Sequence, residues 1–159
     1  IDQSVKLWNA DTGAELWTVR GEKKINSVAF TPDGSLIAAG DGDFGQAGTI
    51  RLYNAATGDP FGSPLTGHTD CVTGVCFDPA GKTIVSCSWD ETIRFWDSAT
   101  GAAIGSPVSC DSPVWSIDWH DQRLAAGCQD GTIKVFDAQS GDCLSTVTGS
   151  TRCDFQSDF

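Results

Sequence analysis

Apolar and polar residues alternate along this chain in short runs that end at Gly, Pro, Asn or Asp. The run Ser4-Val5-Lys6-Leu7 recurs as Thr49-Ile50-Arg51-Leu52, Thr92-Ile93-Arg94-Phe95 and Thr132-Ile133-Lys134-Val135. Val and Ile fall on one side and Lys or Arg on the other, the period of two of a β-strand. Each run closes on an aromatic followed by Asn or Asp: Trp8-Asn9, Tyr53-Asn54, Trp96-Asp97 and Phe136-Asp137, spaced 45, 43 and 40 residues apart. At a fixed offset beyond stands Gly13, Gly58, Gly101 or Gly141. A glycine there supplies the positive φ that a tight hairpin needs.

Three further strands belong to each unit. An inner one reads Ile25 to Phe30, Cys71 to Phe77 and Val114 to Trp119. It is followed by a turn, Thr31-Pro32-Asp33-Gly34 or Asp78-Pro79-Ala80-Gly81, shortened in the last copy to His120-Asp121-Gln122-Arg123. Pro and Gly reverse the chain there. The second strand, Leu36 to Ala39, Thr83 to Ser86 and Leu124 to Gly127, is rich in small residues. The fourth follows the hairpin glycine. The chain thus reads as all-β: an outer half unit over residues 1–20, whole units over 21–66, 67–108 and 109–149, and residues 150–159 opening another unit or forming a tail. A four-stranded sheet of this composition cannot bury both faces alone and needs a like sheet on each side.

An Asp precedes each aromatic and is expected to hold the turn before the third strand: Asp2, Asp43, Asp90 and Asp130. A carboxylate accepts backbone N–H bonds in such a turn. Asp43 lies four residues farther from its aromatic than the others, which marks Phe44-Gly45-Gln46-Ala47 as an insertion. The stretch Asp41 to Gly45 loosely resembles a calcium loop but lacks the spaced acids and terminal Glu, so it reads as an enlarged turn.

Charge and cysteine content narrow the possibilities. Ten basic residues against 21 acidic ones give a formal net charge of −11, unsuited to a phosphate backbone, so no nucleic-acid partner is expected. The seven cysteines are odd in number and lack C-x-x-C spacing, so they read as free thiols, mostly buried, in a reducing intracellular compartment, the cytoplasm first. No apolar run is long enough to span a bilayer, so no membrane partner is expected. The chain opens with Ile1 in mid-unit and holds no Met, which suggests a segment of something longer.

At Gly67-His68, Asp90 and Trp96-Asp97 the chain resembles the WD-repeat family of β-propellers, and the four copies extend the resemblance over nearly its whole length. The resemblance implies four-stranded antiparallel blades, about three and a half of them, within a seven-bladed ring. It also implies a buried hydrogen-bonded tetrad of His68, Ser86, Asp90 and Trp96. Elsewhere Glu22, Asp111 and Ser150 stand roughly where the His belongs, and Tyr53 and Phe136 replace Trp. The unit of residues 67–108 is therefore expected to be the stiffest. The stretch Gly58 to His68 is also similar to linkers of WD repeats in fungal proteins that carry a NACHT-type ATPase. Three and a half blades cannot close a ring, so the remainder of a longer propeller, a second copy or partner proteins should cover the ends.

His68, Ser86 and Asp90 could also be a catalytic Ser-His-Asp set, but the repeat accounts for all three as a staple. No phosphate-binding, zinc or HExxH motif is present, and no catalytic residue, cofactor or metal ligand is assigned. The family resemblance implies a non-catalytic scaffold that binds proteins or peptides on the loops around the central channel. The residues expected there are Trp89, Trp115, Gln129, Lys24, Asn26 and Cys71, with the two tryptophans foremost because aromatics anchor interfaces. A sensor propeller attached to a signalling ATPase, or an architectural subunit of a large assembly, are the alternatives.

Overall fold

The structure, a computed structural model, describes residues 3–148. Those residues form fourteen strands and no helix. β1 (Ser4–Trp8) and β2 (Glu15–Arg20) make a two-stranded antiparallel sheet. The next sheet runs in chain order through β3 (Ile25–Phe30), β4 (Leu36–Asp41), β5 (Thr49–Asn54) and β6 (Pro60–Thr66). A third holds β7 (Val72–Phe77), β8 (Thr83–Ser88), β9 (Thr92–Asp97) and β10 (Ala103–Ser109). The last holds β11 (Val114–His120), β12 (Arg123–Cys128), β13 (Thr132–Asp137) and β14 (Cys143–Thr148). These are about three and a half antiparallel blades.

The repeated Asn or Asp after each aromatic explains why the third strand stops where it does. Asn9 Oδ1 accepts the N–H groups of Asp11 and Thr12 at 3.0 and 2.8 Å, and Asp97 Oδ1 accepts that of Thr100 at 2.8 Å. Asp137 holds Gln139 and Ser140 in the same way. The side chain thereby replaces the ladder partner and turns the backbone into the fourth strand.

The blades lie side by side with their first strands adjacent. Asn26 Nδ2 donates to the Val72 carbonyl at 2.9 Å, and Thr73 Oγ1 donates to the Val114 carbonyl, so each first strand is tied to the next. Three apolar clusters fill the spaces between sheets. Alternate residues of one second strand serve two of them: Ile37 and Ala39 face the first cluster while Ala38 faces the second. Ile84 likewise faces the second cluster, and Val85 and Cys87 the third. A strand covered on both sides cannot alternate apolar with charged residues, which explains the uncharged middles of β4 and β8. Among the described residues the last blade is covered on one side: Leu124, Ala126 and Cys128 are buried, whereas Ala125 and, at 49% and 55%, Ile133 and Val147 are exposed.

Cys71, Cys87, Cys110 and Cys128 are buried free thiols, Cys76 is half-buried, and Cys143 is exposed. Burial pushes the Cys76, Cys87 and Cys110 thiols up to about 12. They are inert packing groups at neutral pH. Asp2, Ser150 and Cys153 lie outside the described residues.

Candidate functional site

The blade of β7–β10 carries a buried polar chain. His68 precedes β7, Ser86 lies in mid-β8, Asp90 forms the turn to β9, and Trp96 lies near the end of β9. His68 Nδ1 lies 2.8 Å from Asp90 Oδ2, and His68 Nε2 lies 2.8 Å from Ser86 Oγ. Trp96 Nε1 donates to the same Ser86 Oγ at 2.9 Å. Asp90 can only accept, so Nδ1 carries the proton, Nε2 accepts the Ser86 O–H, and every polar atom in the line is satisfied. Burial would raise the Asp90 carboxyl, but bonds from His68, Thr92 and the Thr69 N–H, with the adjacent His68 ring, outweigh it and hold it well below the usual range. The distances match those of a serine nucleophile with its base. Yet Ser86 is completely buried and its oxygen is held by Trp96, so no substrate can reach it. Gly67 is required by position: its φ is +154°, and a Cβ there would lie 3.2 Å from Trp96 Cη2.

The neighbouring blades lack this chain. Ala39 and Ala126 stand at the register of Ser86, and Tyr53 and Phe136 at that of Trp96. In the last blade, Asp111, which takes the place of the His, instead receives Lys134 Nζ at 3.2 Å in an ion pair. In the blade of β3–β6 the turn carboxylate is Asp41 and not Asp43. Asp41 accepts the Thr49 N–H and Oγ1–H, both at 2.9 Å, just as Asp90 and Asp130 hold Thr92 and Thr132. Asp43 is exposed, and among the described residues its carbonyl alone is engaged, by the Gln46 N–H. The insertion is thus longer than alignment on Asp43 suggests: the held Thr lies eight residues on and not two.

That insertion shapes the rim at this end of the blades. Phe44 projects from it and meets Trp89 of the β8–β9 turn at a ring-centroid distance of 4.9 Å, and Trp115 of β11 at 6.0 Å. Trp89 and Trp115 lie 4.6 Å apart. Three blades therefore contribute one ring each. Phe44 and Trp115 are 56% and 48% exposed, and Trp89 is half-buried. Trp115 occupies the β11 position where Asn26 and Thr73 sit in their strands. Those two tie neighbouring blades together, whereas Trp115 turns its ring to the rim.

A cavity of about 530 Å³ opens beside Phe44 and Trp115, with Lys24 and Asp43 on its walls and Asn26, Cys71 and Thr73 among its lining. Two of the expected contact residues are structural instead. Asn26 has its amide hydrogens committed to the Gly42 and Val72 carbonyls, each at 2.9 Å. Cys71 is buried at 1% exposure, and burial raises its thiol to about 11. Gln129 is exposed but lines neither the ring cluster nor the cavity. Sequence reasoning misses Phe44 because it sits in an insertion without periodicity. Its only signal is a large apolar side chain in an otherwise polar loop.

Stacked four-stranded sheets with one His-Ser-Asp-Trp staple define a segment of a propeller built from WD-type blades. The family model of the WD domain, G-beta repeat, matches residues 13–54, 59–97 and 105–137, and the chain belongs to that family. It is 28% identical over 143 residues to the COMPASS component SWD3 of Saccharomyces cerevisiae, covering 88% of this chain and 44% of the relative. It is 26% identical over 135 residues to a periodic tryptophan protein 2 homologue of Schizosaccharomyces pombe, covering 84% and 15%. A crystal structure of RRP9 WD40 repeats superposes with a TM-score of 0.83 at 21% identity, over 93% of this chain and 46% of that one. The chain thus spans less than half the length of these proteins.

Proposed function

We propose that this chain is a non-catalytic scaffold that binds partner proteins or peptides at the rim formed by Phe44, Trp89 and Trp115. The observation that carries the reading is the convergence of three aromatic side chains from three blades beside an open cavity. Phe44 and Trp115 stay 56% and 48% exposed even though both meet Trp89, and aromatic side chains are enriched among the anchors of protein interfaces. Lys24 lines the same cavity and belongs to the surface. The non-catalytic assignment is supported by the engagement of His68 on both ring nitrogens and by the raised thiols. A place as a subunit of a larger assembly accords with relatives such as a COMPASS component and a homologue of the ribosome biogenesis protein WDR12.

The free thiols support a reducing intracellular compartment, the cytoplasm first, and the net charge of −11 argues against nucleic acid. Among the described residues there is no helix long and apolar enough to cross a membrane. The apolar side of the last blade, with Ala125, Ile133 and Val147, is proposed to lie against a further blade, of the same protein or of a second copy. Light scattering tests that point: a monodisperse monomer of this chain that binds no hydrophobic dye contradicts it.

The rim is tested by affinity capture with Trp89→Ala and Trp115→Ala, with circular dichroism confirming that each variant is folded. Both should lose partners that the unaltered protein retains. An unchanged set of captured proteins would remove this surface from consideration.

A further inference from the structure

We propose that the recess beside Phe44 and Trp115 receives a positively charged side chain from an extended, basic segment of a partner protein, an inference that rests on this rim being the partner-binding surface. The three ring pairs meet at interplanar angles of 64°, 81° and 69°. None is stacked face to face, and Phe44 and Trp115 are 56% and 48% exposed, so part of their ring surface, whose faces carry the negative lobe of the quadrupole, is accessible at the rim. The adjoining cavity of about 530 Å³ is large enough for a long side chain to enter.

The charges around it favour a cation. On the cavity wall the Asp43 carboxylate is exposed and has no hydrogen-bond or ion-pair partner among the described residues. Asp70, whose Oδ1 accepts the Gly45 and Cys71 N–H groups, adds a second carboxylate beside the loop that carries Phe44. Lys24 is the opposing charge on the cavity wall. With a net charge of −11, the molecule as a whole draws basic chains towards it and repels acidic ones.

The recess is held in shape before any partner arrives. Gly45 N donates to Asp70 Oδ1 at 2.9 Å and Gly48 N to the Asp70 carbonyl at 3.0 Å, so the next blade grips the loop that carries Phe44. A Cβ on Gly48 would meet the Val72 nitrogen at 2.6 Å and the Asp41 carbonyl, which fixes the base of that loop. A preformed site loses less entropy on binding.

The test uses acetylated, amidated Gly-Ser nonapeptides with a central arginine, lysine, citrulline or glutamate, and a proline-rich nonapeptide. Each is titrated into the intact protein by calorimetry and tryptophan fluorescence. The arginine and lysine peptides should bind, more weakly as salt rises, and citrulline should weaken binding about 3- to 30-fold. Trp115→Ala and Phe44→Ala should each reduce arginine-peptide affinity about tenfold, and Asp43→Asn severalfold. Phe44 is in an exposed loop, so its removal keeps the test meaningful if Trp115→Ala does not fold. Equal binding of arginine and citrulline peptides, or preference for the proline-rich one, overturns the inference and leaves the scaffold reading intact. So does a failure of every basic peptide to bind while Trp115→Ala still loses partners. If no peptide binds and partner capture survives both aromatic substitutions, both readings fall.

Discussion

The blade of β7–β10 and the blade of β11–β14 share one strand order and one turn chemistry, yet differ in how they are held. The first has a buried chain in which His68, Ser86, Asp90 and Trp96 satisfy one another. The second replaces it with Phe136 in the core and the Asp111–Lys134 pair, whose aspartate side chain is 84% exposed. Among the described residues the first is covered on both sides and the second on one. The contrast shows that apolar packing and the turn carboxylate suffice to form a blade. The tetrad is expected to stiffen the enclosed blade, because buried polar groups cost most when unpaired and define one geometry when paired.

His68→Ala should produce the largest difference between the two blades. It strands the Asp90 carboxylate and the Ser86 hydroxyl in the interior, and a loss of roughly 1–3 kcal/mol is expected. Chemical denaturation measures it, and an unchanged midpoint would show that the staple adds nothing.

Acid titration sharpens the comparison further. The Asp90 carboxyl is lower in the folded chain than in the unfolded one, so its contribution is complete above about pH 4 and disappears as pH falls towards the folded value. Asp130 is also lowered, chiefly by the Thr132 hydroxyl, but without a buried partner. Asp90→Asn should therefore flatten the stability–pH curve below about pH 4 more than Asp130→Asn does. Identical slopes would mean that burial with His68 has no consequence.

A smaller effect of opposite sign is expected at the two β-turns. Glu91 adopts φ +68° where the last blade has Gly131 at φ +82°. Glu91→Gly should leave stability unchanged or raise it by up to about 1 kcal/mol, since it relieves a left-handed conformation while adding unfolded-state entropy. A clear loss would show that the Glu91 side chain holds the turn. The smallest change should come from Asp111→Ala. Lys134 keeps its bond to the Cys110 carbonyl, and an exposed ion pair is worth less than about 1 kcal/mol. A melting shift as large as that of His68→Ala would overturn the contrast.

The strand plan is legible without coordinates because its signals are local. Period-two runs, a hairpin Gly and an Asx turn each act within a few residues, and all are repeated. The candidate site is legible only in part. Trp89 and Trp115 stand out as aromatics beside turns, but Asn26 and Cys71 read as surface because nothing local reveals a carbonyl in the next blade or an overlying loop. Spacing favours Asp43 over Asp41 because distance along the chain misleads when an insertion bulges out and the backbone is rejoined at Thr49.

The amino-acid order therefore determined that this chain folds into repeated four-stranded sheets and where each turns, and its family resemblance implied which blade could carry the staple. Tertiary structure decided which carboxylate serves each turn, which polar side chains link the blades, and that Phe44, Trp89 and Trp115 meet. The reason is that strands and turns are set by neighbours in sequence, whereas a rim shared by three blades exists only after sheets some forty residues apart have stacked.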